Sequence, residues 1–262
     1  MEELRDRDRL EALLRREEVW AGYALGDLDD AQFARTRWFY EAEALALRYE
    51  FGGHVTVLTF GAAAAIGAVL AQLPLPERFH LHLPHYHRAA LRPLVEGALG
   101  AYLRLAVAPT ELALPEAPAG IQARLLEASD VPAAEALYAA HYPGNWFDAQ
   151  RVAEGCYLGL WQGEELVAAG GTHVVSSQYR IAALGDIVAA PAQRGRGLGS
   201  FLTAELCRRL FAERGVERVV LNVKEDNPAA QRAYAKVGFA HPVPHDEGFD
   251  LRRIPGGDSA AR

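Results

Sequence analysis

The chain of 262 residues holds two cysteines, Cys156 and Cys207, two lysines, Lys224 and Lys236, and one methionine. Two cysteines make no disulfide framework and read as buried free thiols of a reducing compartment. Ala62 to Leu73 is apolar but falls far short of the roughly 20 residues that span a bilayer. The start, Met1-Glu2-Glu3-Leu4-Arg5-Asp6-Arg7-Asp8-Arg9, mixes charges of both signs and has no apolar signal core. A cytoplasmic protein is expected, with no membrane partner. Positive charge is not in excess. Against 34 acidic residues stand 27 basic ones, for a net charge of −7 and an isoelectric point near 5.7. That balance argues against a nucleic-acid or anionic-membrane surface, although a local basic pocket is still allowed. With 50% hydrophobic residues the chain is globular, and it is long enough for a large core or two domains.

What is present centres on Asp186-Ile187-Val188-Ala189-Ala190-Pro191-Ala192-Gln193-Arg194-Gly195-Arg196-Gly197-Leu198-Gly199-Ser200. It reads as a buried strand, a turn with two arginines and three glycines, and a helix from Leu198 to about Arg214. Glycine lets the backbone approach a ligand and take positive φ. The first N–H groups of a helix lack internal partners, and with the helix dipole and Arg194 and Arg196 they make an anion site suited to a diphosphate. The spacing does not fit a nucleoside triphosphate loop, since no lysine follows the glycines. It also differs from the Gly-x-Gly-x-x-Gly dinucleotide fingerprint. It does fit Arg/Gln-x-x-Gly-x-Gly/Ala through Arg194, Gly197 and Gly199.

A second motif follows. Glu217 to Val223 is a strand, and then comes Asn227-Pro228-Ala229-Ala230-Gln231-Arg232-Ala233-Tyr234-Ala235-Lys236-Val237-Gly238-Phe239. Asn227 caps a helix with Pro228 in its first position, and Gly238 ends it. Ala230 and Tyr234, four residues apart, share a face. In this order the two motifs resemble the GNAT acyltransferases, over about residues 119–252, and the C-terminal half is similar to the glycine N-acyltransferase C-terminal-like subgroup.

The resemblance implies a GNAT acyl-CoA N-acyltransferase fold, an α/β architecture with a mixed central sheet flanked by helices. It implies acetyl-CoA as donor and co-substrate, an amine as acceptor, and no metal. The main chain of Ile187, Val188 and Ala189 would pair with the pantetheine arm. The N–H groups of Arg194, Gly195, Arg196, Gly197, Leu198, Gly199 and Ser200 would take the diphosphate, and Asn227 and Ala230 would line the coenzyme wall. Tyr234 sits where relatives place the tyrosine that protonates the departing thiolate. Relatives often carry a glutamate on the central strand as base. Here that face offers only Ala183 and Gly185. Asp186 is the candidate base, yet strand alternation points it to the other face unless a bulge turns it inward; a purely structural carboxylate is the alternative. His173, His141 and a water chain remain as other candidates.

The expected domains are an N-terminal α/β domain at 1–117, an acetyltransferase domain at 118–255 and a tail at 256–262. In the first domain a helix is expected from Leu4 to Val19 and strands at Ala44–Phe51 and His54–Phe60 with a Gly52-Gly53 turn. Further elements are a helix at Ala62–Leu73, a strand at Phe79–Leu83, a helix at Arg88–Leu99 and a strand at Tyr102–Val107. The order from 54 to 107 repeats that from 181 to about 252. The first domain is thus expected to be a degenerate GNAT-like duplicate, or else an unrelated lid. No cation follows Phe60-Gly61-Ala62, so no coenzyme binding is expected there. In the second domain, Ser129-Asp130 should cap a helix through His141, and Tyr157–Trp161 and Leu166–Val175 should form a hairpin. His80, His82, His85 and His87 read as a strand end and helix start, since Pro84 interrupts them and no cysteine or carboxylate lies among them.

The expected activity is acetyl transfer to a primary amine of a small molecule or peptide. The alternatives are transfer to a protein N-terminus or lysine, and a coenzyme-A-binding module without turnover. A homodimer is compatible with all three.

Overall fold

A computed structural model describes residues 1–254, and the expected tail at 256–262 lies outside the described residues. The chain forms two compact units that are not continuous in sequence. The first takes Met1–Arg104, Lys224–Asp226 and the chain from Pro242 on; the second takes Leu105–Val223 and Asn227–His241.

The first unit begins with β1 (Glu2–Leu4), α1 (Arg7–Leu14), α2 (Gly22–Gly26) and α3 (Asp30–Phe33). Helix α1 is shorter than the expected 4–19. Asp6 caps it by accepting from Arg9 N–H, and Glu2–Leu4 pair instead with β2 (Thr36–Glu41). Strands β3 (Ala44–Phe51) and β4 (His54–Gly61) form the hairpin expected around Gly52-Gly53. Helix α4 (Ala63–Gln72) buries Ile66, Val69 and Leu70, an apolar stripe at helical spacing. Strand β5 (Phe79–Pro84) alternates: Phe79, Leu81 and Leu83 join the core while His80 and His82 face the other side. The helix expected over 88–99 stops early. Helix α5 (Arg88–Leu91) gives way to a 3₁₀ turn at Arg92–Leu94 and a two-residue strand β6 (Val95–Glu96), because Pro93 has no N–H to continue a helix. Strand β7 (Gly100–Val107) then crosses from the first unit into the second.

The second unit continues with β8 (Gln122–Leu125), α6 (Val131–His141), β9 (Tyr157–Gln162), β10 (Glu165–Ser176), β11 (Ile181–Ala189), α7 (Leu198–Arg214), β12 (Arg218–Lys224) and α8 (Pro228–Ala235), and β13 (Ala240–Arg253) closes the chain. The cap before α6 differs from the expected Ser129-Asp130. Glu127 and Asp130 hold each other's backbone N–H in a reciprocal capping box, and Ser129 lies inside the intervening turn.

The two units share one topology. In the first the strands run β1-β2-β3-β4-β5-β13, and in the second β8-β9-β10-β11-β12 with the end of β7 beside β12. Neighbours are antiparallel up to the central strand, and then β4 runs parallel to β5 as β11 does to β12. Helix α4 makes the parallel crossover in one and α7 in the other. The last strand is exchanged. The second half's β13 pairs with β5, His245 opposite Pro84 and Glu247 opposite His82, whereas Leu105–Val107 of the first half belong to the second unit.

The first unit buries two charged side chains of note. Arg104 is buried, donates to the Trp20 carbonyl and lies over the Trp20 and Tyr23 rings; burial lowers its pKa to about 10. Asp27 is buried without a cationic partner, and burial raises its pKa to about 7. A carboxyl whose folded pKa lies above its unfolded value favours folding less as pH rises from about 4 through 7. Asp27→Asn should therefore raise the melting temperature at pH 8, by several degrees, and leave it nearly unchanged at pH 4. Thermal unfolding of both proteins at the two pH values checks this.

Candidate active site

Helix α7 starts at an uncapped end. Its N-cap is Gly197 at φ +82°, and no side chain bonds to the first-turn N–H groups. Gly195, at φ +79°, sets up the same left-handed turn. A Cβ built on Gly195, Gly197 or Gly199 would meet nothing within 4 Å. The loop stands open at the positive end of a 17-residue helix. The Arg194 N–H donates to the Pro191 carbonyl at 3.2 Å, while its exposed side chain makes no hydrogen bond or ion pair among the described residues. The Arg196 guanidinium reaches the neutral oxygens of Gln162 and Ala119 and that of Gln193. Among the described residues neither arginine is paired with a carboxylate. Ser200 is buried, and its hydroxyl donates to the Ala233 carbonyl at 3.1 Å, tying α7 to α8.

Ahead of this loop β11 departs from regular pairing. It runs in parallel register with β12 from Ile181 opposite Arg218 to Leu184 opposite Leu221. Toward β10, Val188 faces Ala169 and Gly185 faces Gly171. Between those pairs β10 supplies only Gly170, and β11 supplies both Asp186 and Ile187. This is a β-bulge, and Asp186 sits in it at φ +54°. One step further Leu184 faces Thr172 and Ala183 faces Val174, so His173 is the extra residue of a second bulge, on the partner strand.

The two bulges bring Asp186 and His173 together. The Asp186 side chain is 1% exposed and that of His173 26%, and Nε2 of His173 lies 3.1 Å from Oδ2 of Asp186. The carboxylate also accepts from the Trp146 N–H at 2.9 Å and the Tyr157 hydroxyl at 3.4 Å. The Tyr138 hydroxyl donates to the Asp186 carbonyl at 2.8 Å. Gly185 makes room for the imidazole: a Cβ there would come within 2.0 Å of the His173 ring. The sequence reading listed Gly185 only as a residue that takes no proton, and its role as a seat has no signal in composition or spacing. Arg151 steadies the same strand by donating to the His173 carbonyl at 3.1 Å.

Tyr234 lies on α8, buried, its ring against Phe239. Among the described residues its hydroxyl has no hydrogen-bond partner. Burial, and then the nearby Tyr142 phenol, push its pKa up, so it keeps its proton across the physiological range. Tyr142 also acts on Tyr138, behind burial and Asp186. The Tyr142 phenol thus stands within electrostatic reach of both Tyr234 and the tyrosine bound to Asp186. Asn227 caps α8, its side-chain oxygen accepting from Ala230 N–H at 3.1 Å. That bond joins two of the residues expected along the coenzyme wall.

The corresponding positions of the first unit are built differently. Between β3 and β4 the register is uninterrupted from Ala44–Gly61 to Phe51–His54. At the start of α4 the Gly61 N–H is held by the Glu17 carboxylate at 2.8 Å, and the Tyr86 hydroxyl donates to the same carboxylate.

Residues 123–239 match the model described as the Acetyltransferase (GNAT) family. The matched segment lies almost wholly within the second unit, which holds the mixed sheet, helices and glycine loop described above. A mycothiol acetyltransferase of Corynebacterium efficiens is 40% identical over 83 residues, a stretch spanning 31% of this chain and 27% of that protein. Two solved structures resemble nearly the whole chain in fold. One is a GCN5-related N-acetyltransferase from Kribbella flavida, 16% identical, with a TM-score of 0.66 over 93% of this chain and 96% of that one. The other is a Drosophila protein, 15% identical, with a TM-score of 0.69 over 97% and 98%. The likeness in fold extends through the first unit. Among the described residues no helix is long and apolar enough to cross a membrane.

Gly199 offers a clean probe of the loop. Unlike Gly197 it has ordinary helical φ, and a side chain there meets only open space. Gly199→Glu should leave the melting temperature unchanged or slightly higher, since glycine is a poor helix residue by about 1 kcal/mol. It should weaken coenzyme A binding at least about tenfold by placing a carboxylate in the anion site. Calorimetric titration alongside thermal unfolding separates the two effects.

Proposed function

We propose that the protein transfers the acetyl group of acetyl-CoA directly to a primary amine of a small molecule or peptide. The observation that carries this reading is the open glycine loop at the uncapped start of α7, directly following a strand bulged at Asp186. The N–H groups of residues 194–200 would take the diphosphate, with Arg194 supplying charge. The main chain of Ile187, Val188 and Ala189, beyond the last pair with β12, would hold the pantetheine arm, and Asn227 and Ala230 would flank it. Main-chain N–H groups at the bulge would polarise the thioester carbonyl where negative charge develops. Tyr234, protonated and with its hydroxyl uncommitted, is placed in the role of acid for the departing thiolate.

A small acceptor is favoured over a protein by the relative named for mycothiol, a small-molecule activity in that protein. The exposed aromatic side chains of Tyr142 and Trp146, in the segment that bonds Asp186, supply rings on which an organic ammonium can rest.

Calorimetric titration with acetyl-CoA, followed by thiol release over a panel of amines, tests the reading. Tight binding and release with one or more amines is the expected result, and a protein that does not bind acetyl-CoA overturns it. In Tyr234→Phe, kcat should fall about tenfold or more while acetyl-CoA affinity stays within about twofold. An unchanged kcat removes the acid role.

A further inference from the structure

We infer that the base of this reaction is His173, and that Asp186 acts through it as a positioning residue. The inference rests on the acetyl-transfer reading and assigns a step within it.

Asp186 is badly placed to touch a substrate itself. Its side chain is 1% exposed, and its oxygens are engaged by the Trp146 N–H, the Tyr157 hydroxyl and the His173 ring. His173 is the member of the pair that reaches solvent, at 26% exposure. With Nε2–H donating to Asp186, the ring is fixed in one tautomer and its Nδ1 carries the lone pair. The ring is located from three sides. Gly185 leaves the space under it, Asp186 holds one nitrogen, and Arg151 holds its backbone carbonyl. The other groups around the pair are phenols or lie one bond away. They are Tyr138 on α6, Tyr157 on β9, and Cys156 and Glu154, both of which contact Arg151. Within that set the imidazole is the side chain that offers a nitrogen lone pair to a proton.

The chemistry balances. An acceptor arrives as R–NH₃⁺, and His173 takes one proton to give R–NH₂. The nitrogen lone pair forms the bond to the thioester carbonyl carbon. The C–S bond breaks with its electron pair on sulfur, and Tyr234 gives its proton to that sulfur. The second nitrogen proton returns to the Tyr234 oxygen through solvent, and the proton on His173 leaves to solvent. The products are the amide, the free thiol and one proton.

The test uses the full chain as wild type, His173→Gln, Asp186→Asn and Gly185→Ala. Each is titrated with acetyl-CoA by calorimetry and assayed for thiol release across about pH 5 to 9. Two acceptors of different basicity are used, so that the acid limb that stays put when the amine changes is the enzyme's own. His173→Gln should bind acetyl-CoA as the wild type does, lose that limb and drop kcat/KM roughly a hundredfold. Asp186→Asn should keep the limb and lower kcat/KM about tenfold, because the carboxylate that orients the ring is gone. Gly185→Ala removes no titratable group, yet it should lower kcat/KM about tenfold by pushing the ring off Asp186. Should His173→Gln fail to fold, Gly185→Ala decides, and wild-type kcat/KM in that variant overturns the inference. A limb that survives in folded His173→Gln, with kcat/KM near wild type, overturns it as well and leaves acetyl transfer standing. A wild type that binds acetyl-CoA but releases no thiol with any amine overturns the transfer reading and this inference together.

Discussion

The pair of bulges between β10 and β11 is the constraint on which the site depends. In a regular antiparallel ladder, side chains alternate between faces, and Asp186 would turn away from Gly185 and toward the side α7 covers. The extra residue on β11 cancels that alternation. Gly185 and Asp186 both address the side of α6, and Ile187 takes up the position near Leu202 of α7. The left-handed conformation of Asp186 costs on the order of 1 kcal/mol for a residue with a Cβ. It persists because three donors hold the carboxylate and Tyr138 holds the carbonyl. The second bulge, one step along on β10, supplies the histidine. A bulge on one strand alone would leave the carboxylate beside an ordinary ladder residue.

The same bend serves the coenzyme end. Pairing of β11 with β12 runs over four residues and stops at Leu184. Past that point β11 follows β10 through the bulge, and its chain passes through the short turn at Pro191–Gln193 into Arg194 and the glycines. Backbone groups on Ile187–Ala189 and N–H groups at the start of α7 are thereby presented one after another along the chain. A ligand with a polar amide arm and a diphosphate matches that order of groups.

Legibility followed locality. The glycine loop, the cap at Asn227 and the placement of Tyr234 on its helix depend on residues a few positions apart, and their spacing could be read directly. So could β11 and α7, whose bounds at Ile181–Ala189 and Leu198–Arg214 agree with expectation. The bulges could not be read, because a period-two reading assumes one residue opposite one. Nothing in Gly-Asp-Ile-Val announces a positive φ at the aspartate. His173 stands behind Asp186 among the sequence's candidate bases for the same reason, since its approach to Asp186 depends on register between two strands. The exchange of last strands was equally hidden. Both β7 and β13 read correctly as strands, but which sheet each joins is decided by contacts far apart in sequence. The fold class survived this because both halves repeat one order of elements, and that order is visible in the chain.

The repeat also shows how the two halves differ at equivalent positions. Equivalent positions in the first unit have the strand, the glycine and the helix start, so the same order of elements is present. What differs is who occupies it. The Gly61 N–H at the head of α4 is already bound by Glu17, a carboxylate that the Tyr86 hydroxyl also holds. That carboxylate stands just ahead of the helix N-cap, Ala62, and would repel an incoming diphosphate through its own negative charge. The Gly61 Cβ position is moreover blocked at 2.1 Å by the Glu43 carbonyl, whereas Gly195, Gly197 and Gly199 look onto empty space. With no bulge in β4 there is no turned side chain either. The first unit keeps the order of strand, glycine and helix with Glu17 bound just ahead of the helix; the second leaves its glycine loop open and holds a left-handed Asp186 against His173.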